Sequence, residues 1–188
     1  MSGLRKVLYL VPLLLLWLLL SVMVWGAVFT RITDAPAEEK LTVYIDGPVR
    51  EGTELAAALE KNAEGRVRMV KVHPFDYAMF DLETIAAGDL YIAPETDADT
   101  YRDWFAPLPG TLLGAGEILY RDDVPLGVRV YDAGTGEGCL KGFILYPPAG
   151  TGEDWYLFLG AASRHVSGHD GAVDDAAVPA AEMILKTE

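Results

Sequence analysis

The sequence predicts an α/β domain with a three-layer sheet, parallel in its first half and antiparallel in its second, preceded by one transmembrane helix. Three observations carry this prediction. The chain opens with an unbroken apolar run from Val7 to Phe29. Short β-branched segments then alternate with helical patterns in the order β-α-β-α-β-α, which calls for a parallel sheet with right-handed crossovers. Beyond residue 125 the links become short and Gly-rich, as antiparallel hairpins require.

The run of 23 residues from Val7 to Phe29 exceeds the roughly 20 that cross ~30 Å of hydrocarbon. Pro12 is expected near the start of the span, where a missing N–H costs least. Tyr9 and Trp25 fall near its two ends, where amphipathic rings settle. A cleaved signal peptide is the rival reading, and Ala35-Pro36-Ala37 offers a small-x-small site. Such a peptide has an apolar core of only about 7–15 residues, so the uncleaved anchor is preferred. Arg5 and Lys6 on the short leading tail favour an N-terminus on the cytoplasmic side. The expected division is a cytoplasmic tail at 1–6, the anchor at 7–29, a polar tether at 30–40 and an extracytoplasmic domain at 41–188, in a bacterial cell membrane.

The whole chain carries a net charge of −13; without Arg5 and Lys6, 13 basic residues face 28 acidic ones. An acidic domain of this kind repels nucleic acid and anionic lipid surfaces, so the lipid partner is the bilayer core around residues 7–29. About 155 residues suit one domain with a single core. Cys139 is alone, which excludes an internal disulfide and a cysteine metal cluster.

Leu41 to Ile45 alternates as a strand and is closed by Asp46-Gly47-Pro48. Thr53 is placed to cap a helix through Leu55, Ala58 and Leu59 that Gly65 ends. Arg66 to His73 is a second strand, Met79 to Ala87 a short helix, and Asp89 to Ala93 a third strand stopped by Pro94. Asp97 to Phe105 reads as another helix. Three further strands are expected at Gly127–Tyr131, Leu140–Tyr146 and Trp155–Ala162. Both faces of Trp155 to Leu159 are apolar, so that strand should be central. A helix after Asp174-Asp175 packs Ala177, Ala181 and Ile184 inward, with Pro179 in its first turn.

The densest polar stretch is Ser163 to Gly171. His165, His169 and Asp170 offer imidazole and carboxylate to a divalent metal, the one cofactor the residues suggest. Ser163 and His165 also evoke a nucleophile and base, but no third group is placed, and Ala161 and His165 stand where the nucleophile elbow has glycines. No catalytic residue is assigned. An ordinary strand-to-helix turn with aspartate capping explains the same residues more plainly. Gly134-x-Gly136-x-Gly138 is read as a hairpin turn, since a phosphate loop is followed by a helix. Asp46 and Gly47, with Glu95 and Thr96, follow the first and third strands. If those strands are parallel neighbours, both loops lie at the carboxyl edge of the sheet, where open α/β sheets bind ligands. Asp46, Gly47, Glu95, Thr96, Ser163, His165 and His169 are therefore the candidate ligand residues.

The succession Leu41-Thr42-Val43-Tyr44-Ile45, Leu55 to Lys61, Val67 to Val72, Asp89-Leu90-Tyr91-Ile92 and Pro107-Leu108 resembles the first lobe of type II periplasmic solute-binding proteins over roughly residues 41–109. The later stretch from Tyr156 to Ala177 is similar to small uncharacterised membrane-anchored proteins of Firmicutes. Solute-binding proteins close two lobes on a ligand, whereas this chain has room for one lobe and a hairpin layer, and no lipobox cysteine follows its apolar run. The resemblance implies a membrane-anchored binding or sensing module for a small solute. Two alternatives stand beside it: a cell-envelope scaffold that binds another protein, and a metal-dependent hydrolase at His165 and His169.

Overall fold

The structure, a computed structural model, describes residues 2–62, 67–75 and 80–187. The chain divides into two compact units, Met1–Ala35 and Pro36–Glu188. The first is a single helix, α1 (Ser2–Thr33). Its segment Val11–Phe29 is long and apolar enough to cross a membrane, and none of it is buried in the protein. A core helix of a soluble domain would hide such a surface. The helix begins well before Pro12, so that proline lies in its interior rather than its first turn. Within hydrocarbon every backbone group still needs a partner, which favours continuing the helix through a proline over breaking it. The helix also extends to Thr33, so the expected polar tether shrinks to a few residues and one 3-10 turn at Ala37–Glu39.

The second unit is built on one mixed sheet. Its elements in chain order are β1 (Lys40–Ile45), α2 (Gly52–Asn62), β2 (Met69–Pro74), α3 (Leu82–Ala86), β3 (Leu90–Pro94), α4 (Asp97–Thr100), β4 (Phe105–Ala106), β5 (Ile118–Arg121), β6 (Val124–Tyr131), β7 (Trp155–Gly160) and α5 (Ala177–Lys186). The strand order is β2-β1-β3-β7-β6-β5. β1 runs parallel to β2 and β3, and every later pairing is antiparallel. β4 pairs with the last two residues of β7.

Side-chain alternation along the strands explains the three layers. Leu41, Val43 and Ile45 of β1 pack with Leu55 and Leu59 of α2 and Ile184 of α5. Tyr44, between them, points to the other face, among Ile85, Tyr91, Ala98 and Phe158. All six residues of β7 are buried, as both-faced coverage requires. Each large apolar side chain so buried contributes about 2 kcal/mol. α5 buries Ala177, Ala181 and Ile184, and Pro179 sits in its first turn, as the sequence implies.

Three local expectations are corrected. α2 starts at Gly52, so Thr53 lies in its first turn and does not cap it. The helix expected over 97–105 ends at Thr100, a 3-10 turn covers Arg102–Trp104, and Phe105 pairs with Gly160. Leu140 to Tyr146 is a turn, not a strand: Leu140 takes φ +58°, and its carbonyl accepts from Phe143 and Ile144 at 2.9 Å each. The buried residues there, Leu140 and Ile144, are four apart, a helical rather than a strand interval. β6 therefore pairs directly with β7, and a hairpin partner, β5, lies on its other side, turned by Asp122 and Asp123 at φ +52° and +62°. Aspartate tolerates this left-handed region, so the pair makes the tight turn that glycine usually supplies. The expected boundaries at Gly65, Arg66 and Met79 lie outside the described residues.

Candidate functional site at the carboxyl edge of the parallel strands

The antiparallel run of β7 along β3 divides the candidate residues between two ends of the sheet. Trp155 is opposite Pro94, and Leu159 is opposite Leu90. Asp46, Gly47, Glu95 and Thr96 thus lie at the carboxyl edge of β1 and β3. Ser163, His165, His169 and Asp170 follow β7 at the amino edge, roughly 15 Å away by the strand rise. They do not converge on one pocket.

At the amino edge the polar residues bind each other. The Asp89 carboxylate accepts from the Thr42 N–H at 2.6 Å and from the Ser163 hydroxyl at 2.5 Å. Ser163 Oγ in turn accepts the His165 N–H at 2.9 Å. The His165 ring turns away from that hydroxyl: Nδ1 faces Asp174 Oδ1 at 2.8 Å and Nε2 donates to the Lys40 carbonyl at 3.1 Å. Ser163 and His165 are fully buried. The serine proton goes to a carboxylate rather than to imidazole, so no nucleophile is activated there. His169 is engaged likewise, with its ring nitrogens on the Asp170 and Ser163 carbonyls at 2.9 and 2.5 Å. Every ring nitrogen of the two histidines faces an oxygen of this network, and among the described residues no group of three or more acidic, His or Cys side chains has metal-site geometry. Asp174 also accepts the Ala176 N–H at 2.9 Å, so it ties the entry to α5 to the histidine. These residues fasten β1, β3, β7 and α5 together.

The carboxyl edge has a different chemistry. Glu95 receives Arg121 at 3.0 Å, and Arg121 also reaches Asp99 at 2.7 Å. Thr96 donates its N–H and hydroxyl to Glu153 at 2.8 and 2.9 Å. Gly47 lies against Trp155 so closely that a Cβ there would fall 2.6 Å from the ring. Behind these sit Asp46 and Asp97, hydrogen-bonded to each other, with Glu153 close by. Burial first, and then the Asp46 charge, pushes Asp97 up to about 7. Burial also raises Asp46, although its hydrogen bond from Asp97 works the other way. Asp97 therefore holds its proton more tightly than an ordinary carboxyl does, and its Oδ2 is buried without a hydrogen-bond partner. Asp97 and Glu153 were not legible as site residues, although Asp97 follows directly on the Glu95-Thr96 loop.

A proton held more tightly in the folded than in the unfolded chain stabilises the fold at low pH. That contribution is complete below about pH 4, the ordinary carboxyl range, and is lost as pH rises through about 7. Discounted for partial exposure, it is worth about 1–2 kcal/mol. Asp97→Asn keeps a donor for Asp46 and cannot ionise. It should raise the melting temperature by a few degrees at pH 8 and leave it nearly unchanged at pH 4.5, in paired thermal scans. An equal shift at both pH values would mean that Asp97 does not hold the proton.

The same edge contains an open cavity of about 330 Å³ between the β1–α2 loop and residues 131–149. Arg50 and Lys141 line it together with Tyr131, Tyr146, Ile144 and Pro148. Two main-chain contacts zip the sides together: the Arg50 N–H donates to the Phe143 carbonyl at 2.8 Å and the Leu145 N–H to that of Pro48 at 3.0 Å. Gly134 to Gly138 forms a closed turn beside it, in which Asp132 Oδ1 accepts from Gly134 and Thr135 and Asp132 N–H donates to the Glu137 carbonyl at 2.8 Å. The residue after this turn leads into another turn rather than a strand. Sequence reading missed Arg50 and Lys141 because the second lay in a presumed strand. No protein-family model matches the chain, and no curated protein is significantly similar to it.

Proposed function

We propose that the protein is a membrane-anchored binding or sensing module, comparable to a single solute-binding lobe, whose ligand end is the carboxyl edge of β1 and β3. The observation that carries this is the strand order β2-β1-β3, with β1 parallel to both neighbours. The connections leave β1 and β3 in opposite directions, and open α/β sheets take ligands in the crevice where that happens. The loops after these strands supply Asp46, Gly47 and Arg50 on one side and Thr96 and Asp97 on the other. At the opposite edge, in contrast, Ser163, His165 and His169 are engaged by neighbouring protein groups. In this reading α1 holds the domain in the cell membrane, with the N-terminus cytoplasmic through Arg5 and Lys6 and the domain extracytoplasmic.

The test is a melting-temperature panel of small solutes on the full chain in detergent micelles. A solute at ~100 times its dissociation constant adds about 2.7 kcal/mol, several degrees for a domain of this size. A saturable shift with one chemical class is expected. A flat panel across carboxylates, amines, sugars and neutral amides would overturn the reading and leave an envelope protein as the partner to seek.

A further inference from the structure

Within the binding-module reading, on which this step rests, the geometry points to a ligand class: we propose that the cavity between Arg50 and Lys141 takes a small monocarboxylate with an apolar or aromatic body. A volume of about 330 Å³ is at the small end of the range for sites that enclose one small molecule. None of its lining residues is acidic. Arg50 forms no ion pair among the described residues, although acidic side chains outnumber basic ones 28 to 15 in the chain. Lys141 pairs with Glu137 at 2.9 Å, with both side chains well exposed. The Tyr146 hydroxyl is buried with no acceptor.

Charge decides between carboxylate and phosphate. Arg50 and Lys141 bring two positive charges and Glu137, beside Lys141, returns one negative, so the rim is left with about one unit for a monoanion. A dianionic phosphate would meet the field of a strongly acidic domain with only that one unit against it. The guanidinium fork suits the two oxygens of a carboxylate. Below the rim the cavity is floored by two aromatic rings. The Tyr131 and Tyr146 rings stack at 4.4 Å and 3°, and the Tyr131 hydroxyl donates to the Pro147 carbonyl. Ala149 closes over Gly136, where a Cβ would fall 2.8 Å from the alanine methyl group. Leu140 and Ile144, both buried, fix the turn that carries Lys141.

The experiment is calorimetric titration of the full chain in detergent micelles with 3-phenylpropionate, its amide 3-phenylpropionamide, inorganic phosphate and 2-phenylethylamine. Saturable binding of 3-phenylpropionate is expected, with no binding of the amide or of phosphate. Arg50→Gln should weaken it at least about tenfold, as loss of a charge-assisted hydrogen bond implies, and Lys141→Gln less. Both side chains are exposed, so the melting temperatures of the variants should match the parent and confirm that they fold. Equal binding of acid and amide, or full affinity in Arg50→Gln, would overturn the ligand class while leaving the binding module intact. So would preferential binding of 2-phenylethylamine that Asp46→Asn abolishes. No saturable binding of any of the four would overturn the ligand class, and a flat wider panel would remove the module reading as well.

Discussion

Gly160→Ala is expected to destabilise the domain by about 4 kcal/mol or more and lower its melting temperature by roughly 10–15 °C. A Cβ at this position would stand 1.9 Å from the Gly88 carbonyl oxygen and 3.0 Å from its carbon. The obstacle is main chain, so no rotamer change can relieve it. The main chain cannot retreat either. Gly160 donates its N–H to the Asp89 carbonyl at 2.8 Å, and Phe105 pairs with it on the other side. Gly88 is itself pinned, since its own Cβ position lies 2.6 Å from the Tyr44 ring. Overlap with side chains in a tight core costs about 1–3 kcal/mol; overlap with a fixed backbone exceeds that, out of a total of only 5–15. Gly110→Ala is the control, because nothing lies within 4 Å of its Cβ position, and it should change stability by less than about 0.5 kcal/mol. Thermal melts of the two variants side by side check the result. A parent-like Gly160→Ala would show that β7 does not close onto Gly88 as described.

Asp89→Ala is the second large effect, about 3 kcal/mol. Asp89 is 5 % exposed and supplies the acceptor for two buried donors, the Thr42 N–H and the Ser163 hydroxyl. Removing the carboxylate strands both, and each buried donor left without a partner costs about 1–3 kcal/mol. Burial pushes the Asp89 carboxyl above the usual carboxylate range despite those bonds, which offsets part of what the carboxylate contributes at neutral pH. Asn can accept from Thr42 but returns N–H groups towards Ser163, so Asp89→Asn should recover only part of the loss. Denaturant unfolding of the three proteins gives the order parent, Asn, Ala. If Ala matched the parent, the amino-edge network would carry no stability, and a role for Ser163 and His165 beyond architecture would reopen.

Much of this fold is legible from single residues. The alternation of Leu41 to Ile45 and the apolar run Trp155 to Leu159 report burial directly, because one or both strand faces are covered. Leu140 to Tyr146 misleads because its aromatic and β-branched content suits a strand, while Leu140 in the left-handed region and the four-residue interval to Ile144 are set by packing on α5 and β6. The Asp-Asp turn of β5 and β6 shows how two aspartates can replace the glycine that marks a hairpin. The site was half legible. Asp46 and Glu95 are at strand ends, and strand ends define an edge. The pairing of Asp46 with Asp97, or of Arg50 with Lys141 across one cavity, depends on how distant loops are laid together, which no local pattern encodes. Ser163 to Asp170 drew attention as a site because a dense polar stretch looks alike whether it awaits a ligand or fastens a sheet edge. Full burial of Ser163 and His165 separates the two cases.

The most direct test of the account is hydrogen exchange of the full chain in detergent micelles, with and without the solute that gives a saturable melting shift. Ligand at the carboxyl edge predicts added protection in the loops at 46–51, 95–97 and 140–149, and no change over 163–175. Protection confined to 163–175, or spread evenly over the sheet, would contradict it and move the functional end of the domain to the opposite edge or away from the sheet ends altogether.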